Sequence, residues 1–144
     1  MTTPREVAVK QRGMTLIELL IAVAIVGILS ALAIASYGMY TKSANRTDAT
    51  KTMTLDAQAL ERCYSQNFTY ATCATVPALA TSSQGFYRIV VATATSSFTI
   101  TATPIKAPQT GDKTCAQFTL NSAGTQGATN SAAANTTSTC WGSS

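Results

Sequence analysis

The sequence contains no histidine, which removes imidazole-based metal sites and the commonest general base. Acidic residues are few: after Glu6 come only Glu18, Asp48, Asp56, Glu61 and Asp112. They are too scattered to suggest a carboxylate pair, so the many hydroxyls have nothing to activate them. The residues therefore read as those of a protein that is not an enzyme and that implies no cofactor. Large side chains are scarce beyond residue 64, where Thr, Ser, Ala and Gly dominate. A chain of 144 residues has room for one small domain, and a domain with so little to bury commonly needs staples. Four cysteines are present, with no Cys-x-x-Cys knuckle that would favour zinc.

Charge is missing from one stretch altogether. Leu19–Thr41 runs for 23 residues without an ionisable acid or base. As a helix it would span about 34 Å, enough for a bilayer. Its apolar residues lie all round the helix, as in a segment buried in lipid or among other helices. Alanines at 22, 24, 31, 33 and 35, with Gly27, would let neighbouring helices approach closely. A basic leader stands upstream, with Arg5, Lys10 and Arg12 against Glu6 alone. An ordinary secretory signal has an apolar core of roughly 7–15 residues followed by its cleavage site. Here the run is longer, and the plausible cut lies before it. Glu18, a single carboxylate at the mouth of the run, calls for a specific partner or task.

The segment Gly13-Met14-Thr15-Leu16-Ile17-Glu18, placed between that leader and that run, resembles the class III signal of type IV prepilins. The resemblance implies cleavage between Gly13 and Met14 by a prepilin peptidase that also N-methylates Met14. It implies that Glu18 meets the methylated amine of a neighbouring subunit during assembly. It also implies an α+β fold, the type IV pilin fold: a long N-terminal helix packed on a small antiparallel β-sheet with two disulfides. The expected divisions are a leader over 1–13, a transmembrane and polymerisation half of the helix over 14–37, an amphipathic half over 38–64, and a small disulfide-bonded head over 65–144. Family members often carry proline where this chain has Ala35. Phe is also commoner at the first mature position than Met.

The helix is expected from Met14 to about Tyr64, since no glycine or proline interrupts 39–64. Met53, Ala57, Leu60 and Tyr64 recur at one-face spacing and should receive the sheet. Lys42, Arg46, Asp48, Lys51, Asp56, Glu61 and Arg62 should form the wet face. Tyr37 and Tyr40 suit a membrane–water boundary or packing between subunits. Residues 65–84 read as loop, and strands are expected over 86–92, 98–103 and 115–120. Phe98, Ile100 and Ala102 should face the helix, with Thr99, Thr101 and Thr103 outward. Residues 125–138 are a low-complexity stretch that cannot build a core of its own, and Cys140-Trp141 suits a short fourth strand. Four cysteines allow three pairings. The economical one joins Cys63 to Cys73 and Cys115 to Cys140.

The Tyr64–Tyr70 region, Ala102-Thr103-Pro104, Asp112, Cys115 and Cys140-Trp141 further resemble PilE-type minor pilins, which are related to the DNA-uptake minor pilins. The resemblance implies a structural, minor subunit of a type IV pilus. Its partners would be the prepilin peptidase and N-methyltransferase, other pilins and the assembly machinery, and the inner membrane. The chain would span that membrane once with its head in the periplasm, then enter the extracellular pilus. The alternative functions are a DNA-binding minor pilin for natural transformation, with Arg88, Lys106 and Lys113 as candidate contacts, or a type II secretion pseudopilin. The bland reading of those three cations is solvated surface. That of Glu18 is a carboxylate that favours the helix dipole.

Overall fold

The computed structural model describes residues 13–73 and 76–142, apart from the side chains of 33–36. The expected leader therefore lies outside the described residues, except for Gly13. The chain divides into two units, one ending at Tyr37 and one beginning at Gly38, and helix α1, Leu16–Asn67, contributes to both.

In the first unit the helix starts at Leu16 rather than at Met14. Thr15 caps it: the Glu18 amide donates to Thr15 Oγ1 at 3.3 Å, and the Thr15 amide donates to Glu18 Oε2 at 3.4 Å. This reciprocal box satisfies two N–H groups that the helix itself leaves unpaired, and it holds Thr15 outside the first turn. The apolar side chains that follow are exposed on every side, from Leu16 through Leu32. Taken singly, neither Leu16–Leu32 nor Tyr37–Asn67 is long and apolar enough to cross a membrane; the two together are, by length and composition. The first rises only about 25 Å, short of a hydrocarbon core of about 30 Å.

In the second unit α1 runs three residues beyond the expected Tyr64 and stops at Asn67. There Phe68 enters the left-handed region at φ 56° while its amide still donates to Tyr64 O at 2.7 Å. The Asn67 side-chain amide donates to Cys63 O at 3.1 Å, satisfying one of the last carbonyls. Five antiparallel strands follow in simple order: β1 Leu79–Thr81, β2 Tyr87–Thr93, β3 Phe98–Pro104, β4 Gln117–Asn121 and β5 Gln126–Thr129. The 3-10 turn Gln109–Gly111 and helix α2, Thr137–Trp141, complete the chain.

Alternation along the strands builds the core. Ile100 pairs with Val91 on one side and Leu120 on the other, and Ala102 with Ile89 and Phe118. All six are buried in one cluster with Ala49, Met53 and Leu60 of α1. Ala57 and Tyr64 pack against that cluster. The helix is thus packed on an antiparallel sheet in an α+β fold. Aromatic edges close its two ends: Tyr70 stacks on Tyr64 at 4.4 Å and meets Phe98 edge-on at 5.1 Å, while Phe118 meets Tyr87 and Trp141 at 5.7 and 6.1 Å. Cys63 is bonded to Cys73 and Cys115 to Cys140.

Three expectations are corrected. The 65–84 loop contains β1, which pairs with β2 because Ala80 packs against the core. The 125–138 stretch is not without core contact: it supplies β5, whose Ala128 is buried opposite Phe118. A Cβ at Gly127 would fall 2.5 Å from Thr119 Oγ1, so a larger residue there would force that side chain to move. The chain then turns on Asn130, whose side-chain oxygen accepts from the Ala132 and Ala134 amides. Finally, Cys140-Trp141 is the last turn of a helix, not a strand. Trp141 donates to Gly127 O at 2.8 Å, so the tail is fastened across the sheet edge rather than added to it.

Candidate functional site

Two surfaces are prominent among the described residues. At the N-terminal end Gly13 and Met14 lie exposed ahead of the helix, and Glu18 is exposed one turn in. Glu18 Oε2 is engaged by the Thr15 amide, while Oε1 makes no hydrogen bond among the described residues. The carboxylate therefore caps its own helix and keeps capacity for a second partner.

The head carries the other surface. Arg88 points outward on β2, flanked in register by Thr81 and Thr103. Lys106 is exposed and stands 5.8 Å from the centre of the Phe86 ring. Phe86 O accepts from the Ile105 amide at 2.8 Å, so this cation lies at the start of β2, two residues from Arg88 in that strand. Lys113 is exposed elsewhere and lines a cleft with Lys42, Arg46 and Asp112. The structure thus brings Arg88 and Lys106 to one end of the sheet and does not add Lys113 to them.

That cleft rests on a half-buried ion pair. Arg46 Nε and one terminal nitrogen donate to the two oxygens of Asp112 at 2.8 and 3.1 Å. The Thr114 and Cys115 amides donate to the same carboxylate. Burial pushes the Asp112 carboxyl up. The Arg46 hydrogen bond and charge, with the two amides, outweigh it and hold the group below the usual Asp range. Asp48 is likewise buried. It accepts from Ser82 Oγ, from the Gln84 amide at 3.0 Å and from the Phe86 amide at 3.4 Å, and so clamps the β1–β2 turn to the helix.

A family described as "Type IV minor pilin ComP, DNA uptake sequence receptor" matches residues 35–119. The chain belongs to this family of type IV minor pilins. The prokaryotic N-terminal methylation motif matches residues 9–34, ahead of it. Prepilin peptidase-dependent protein D of Escherichia coli (strain K12) is 41% identical over 64 residues, which are 44% of this chain and 44% of that protein. The match thus spans less than half the length of that relative.

In this pilin, Asp48 and Arg46 depart from the wet face to which they were assigned. Asp48 is 3% exposed, and the Arg46 and Asp112 side chains are 16% and 3% exposed. A signal was present. Residues 42, 46, 49 and 53 continue the buried stripe backwards at spacings of four, three and four, so Lys42 and Arg46 lie in line with Ala49 and Met53. A cation in that line needs a partner from the facing layer, and the acid three residues before Cys115 supplies it.

Proposed function

We propose that this minor pilin is a filament subunit that polymerises through its N-terminal helix and performs no chemistry of its own. The observation that carries the reading is the apolar surface of the first unit: its large side chains from Leu16 to Leu32 are 52–79% exposed. Contiguous apolar surface of that extent marks an interaction with membrane or protein. Lipid covers it before assembly, and the helices of neighbouring subunits cover it afterwards. Ala22, Ala24, Gly27 and Ala31 allow those helices to approach closely. A prepilin peptidase cuts between Gly13 and Met14 and methylates the new amine. The head faces the periplasm until other pilins and the assembly machinery carry the chain into the extracellular filament.

Glu18 has two tasks on this reading. In the free chain it caps the helix. In a dry bundle a carboxylate needs a cation, and the Met14 amine of a neighbour is one that each subunit carries. Glu18→Gln retains an acceptor for the Thr15 amide and loses the charge, so it separates the two tasks. Both Glu18→Gln and Glu18→Ala should leave the membrane pool unchanged and lower recovery in sheared pili. Unchanged recovery for Gln would assign Glu18 to capping alone.

A second reading, duplex DNA capture, is favoured by the match over residues 35–119 to a family described as a DNA uptake sequence receptor. Arg88 and Lys106 are the cations that the head holds at one end of the sheet. Phosphate contact predicts affinity that weakens as salt rises, and a shallower salt slope for Arg88→Gln/Lys106→Gln. The polar 65–84 and 104–114 segments would carry any base readout. A mobility-shift titration of the detergent-solubilised mature chain at low salt, with no complex formed, would eliminate direct capture by the subunit.

A further inference from the structure

We propose that the cleft between α1 and the 109–114 segment holds the phosphate of an anionic phospholipid while the subunit is still in the membrane. This rests on the reading of the N-terminal helix as a membrane anchor. Two independent features meet at the cleft. The uncharged stretch ends at Thr41, so Lys42 is the first charge after it. A helix inserted over that stretch puts Lys42 at the boundary between lipid and water. Tyr40, 74% exposed, stands beside it, as suits the headgroup layer.

The tertiary structure then adds charge at the same level. Lys42 Nζ donates to Gly111 O at 2.9 Å, which docks the 109–113 segment onto that turn of the helix. The Arg46–Asp112 pair fixes it one turn further on. Lys113 follows directly, and its ammonium is exposed and makes no bond among the described residues. The result is a cleft of about 490 Å³, lined among others by Lys42, Arg46, Asp112, Lys113, Thr114 and Thr139. Asp112 is already neutralised by Arg46, so the two lysines are left in excess. Lys42 has donors to spare after bonding Gly111 O, and the two threonines add hydroxyls. A phosphodiester, whose two non-bridging oxygens share one negative charge, suits such a concave pair of cations. A duplex wants cations spread along a face, which is where Arg88 and Lys106 lie instead.

The test uses the mature full-length chain in nanodiscs of phosphatidylcholine alone or mixed with phosphatidylglycerol. Native mass spectrometry after mild detergent release reads the ratio of the two lipids retained. The wild type should retain phosphatidylglycerol preferentially. Lys113→Gln, which breaks no bond in the fold, and Lys42→Gln should each lower that preference roughly fivefold, the value of one lysine near an anionic surface. Lys113→Arg should keep it. Lys51→Gln/Arg62→Gln, which removes two charges elsewhere on the helix, should leave it intact. Equal retention of both lipids, or equal loss in the control pair, would overturn the inference and leave the anchor reading standing. Failure to enter phosphatidylcholine nanodiscs at all would overturn both. Equal retention of the two lipids together with Lys113-dependent binding of inorganic phosphate would make this a site for a free anion, and together with Lys113-dependent binding of duplex DNA a nucleic-acid site; either result refutes lipid binding.

Discussion

At the scale of single residues, the head is held to its helix by two buried carboxylates with different supports. Asp48 is satisfied by hydroxyl and amide donors from the β1–β2 turn, whereas Asp112 depends on the Arg46 charge. The distinction has a consequence for acid stability. Because the Asp112 carboxyl is held below its ordinary value, the pair contributes stability that is complete above the usual Asp range. That contribution is lost as the pH falls through that range and then through the depressed value. Asp112→Asn should therefore unfold at lower temperature near neutrality, and its melting temperature should fall less steeply than the wild type's on acidification. Arg46 is half-buried, so the loss should fall short of the about 3–5 kcal/mol of a fully buried pair. Thermal melts of the detergent-solubilised mature chain between neutral pH and pH about 3 check both the loss and its pH dependence. A parallel acid limb in the variant would show that Asp112 is not the group responsible.

At the scale of elements, the tail is the informative case. Its β5 strand, its Asn130 turn and the Trp141–Gly127 hydrogen bond hold it as well as Cys115–Cys140 does. The disulfide closes a separation of 25 residues. By the unfolded-chain argument, which is model-dependent, such a closure contributes roughly 3–4 kcal/mol. Cys115→Ser/Cys140→Ser should lower the unfolding free energy by that amount while leaving the four-strand β1–β4 core intact. Hydrogen exchange should then show faster opening of β5 and α2, with protection kept in β2 and β3. On α1, Leu60→Ala removes a fully buried side chain from the core cluster that the helix shares with the sheet. Its cost should reach about 2–5 kcal/mol in a denaturant melt, without loss of helical signal.

At the scale of the whole molecule, an apolar helix and a disulfide-stapled head belong to one chain, which on the proposed reading meets two environments in succession. Removal of the leader would start that succession. Intact-mass analysis of membrane fractions should find a chain beginning at Met14 and one methyl heavier than its sequence. Gly13→Ala should slow or block the cut, since a side chain would intrude where the peptidase accepts glycine. An uncleaved chain, or a mature terminus within the apolar run, would remove the basis for polymerisation through Met14 and Glu18.

The basic leader, the Gly13–Glu18 segment and the uncharged run were legible because each is a local pattern that needs no partner to define it. The Met53–Leu60 stripe and the Phe98–Ala102 alternation were legible for the same reason: a period of 3.6 or of 2 announces which face is buried. Strands β1 and β5 were not, because three or four small or polar residues carry no period; pairing with a neighbour makes them strands. The clamp formed by Arg46 and Asp112 was half visible, as a cation in line with an apolar stripe. Its acid lies 66 positions away. Only folding decides which charges meet. The same holds for the three head cations, which the sequence could count but could not group. The backbone path sends Lys106 to Phe86 and Lys113 to the cleft beside Lys42, because contacts between distant segments depend on the fold and not on spacing along the chain.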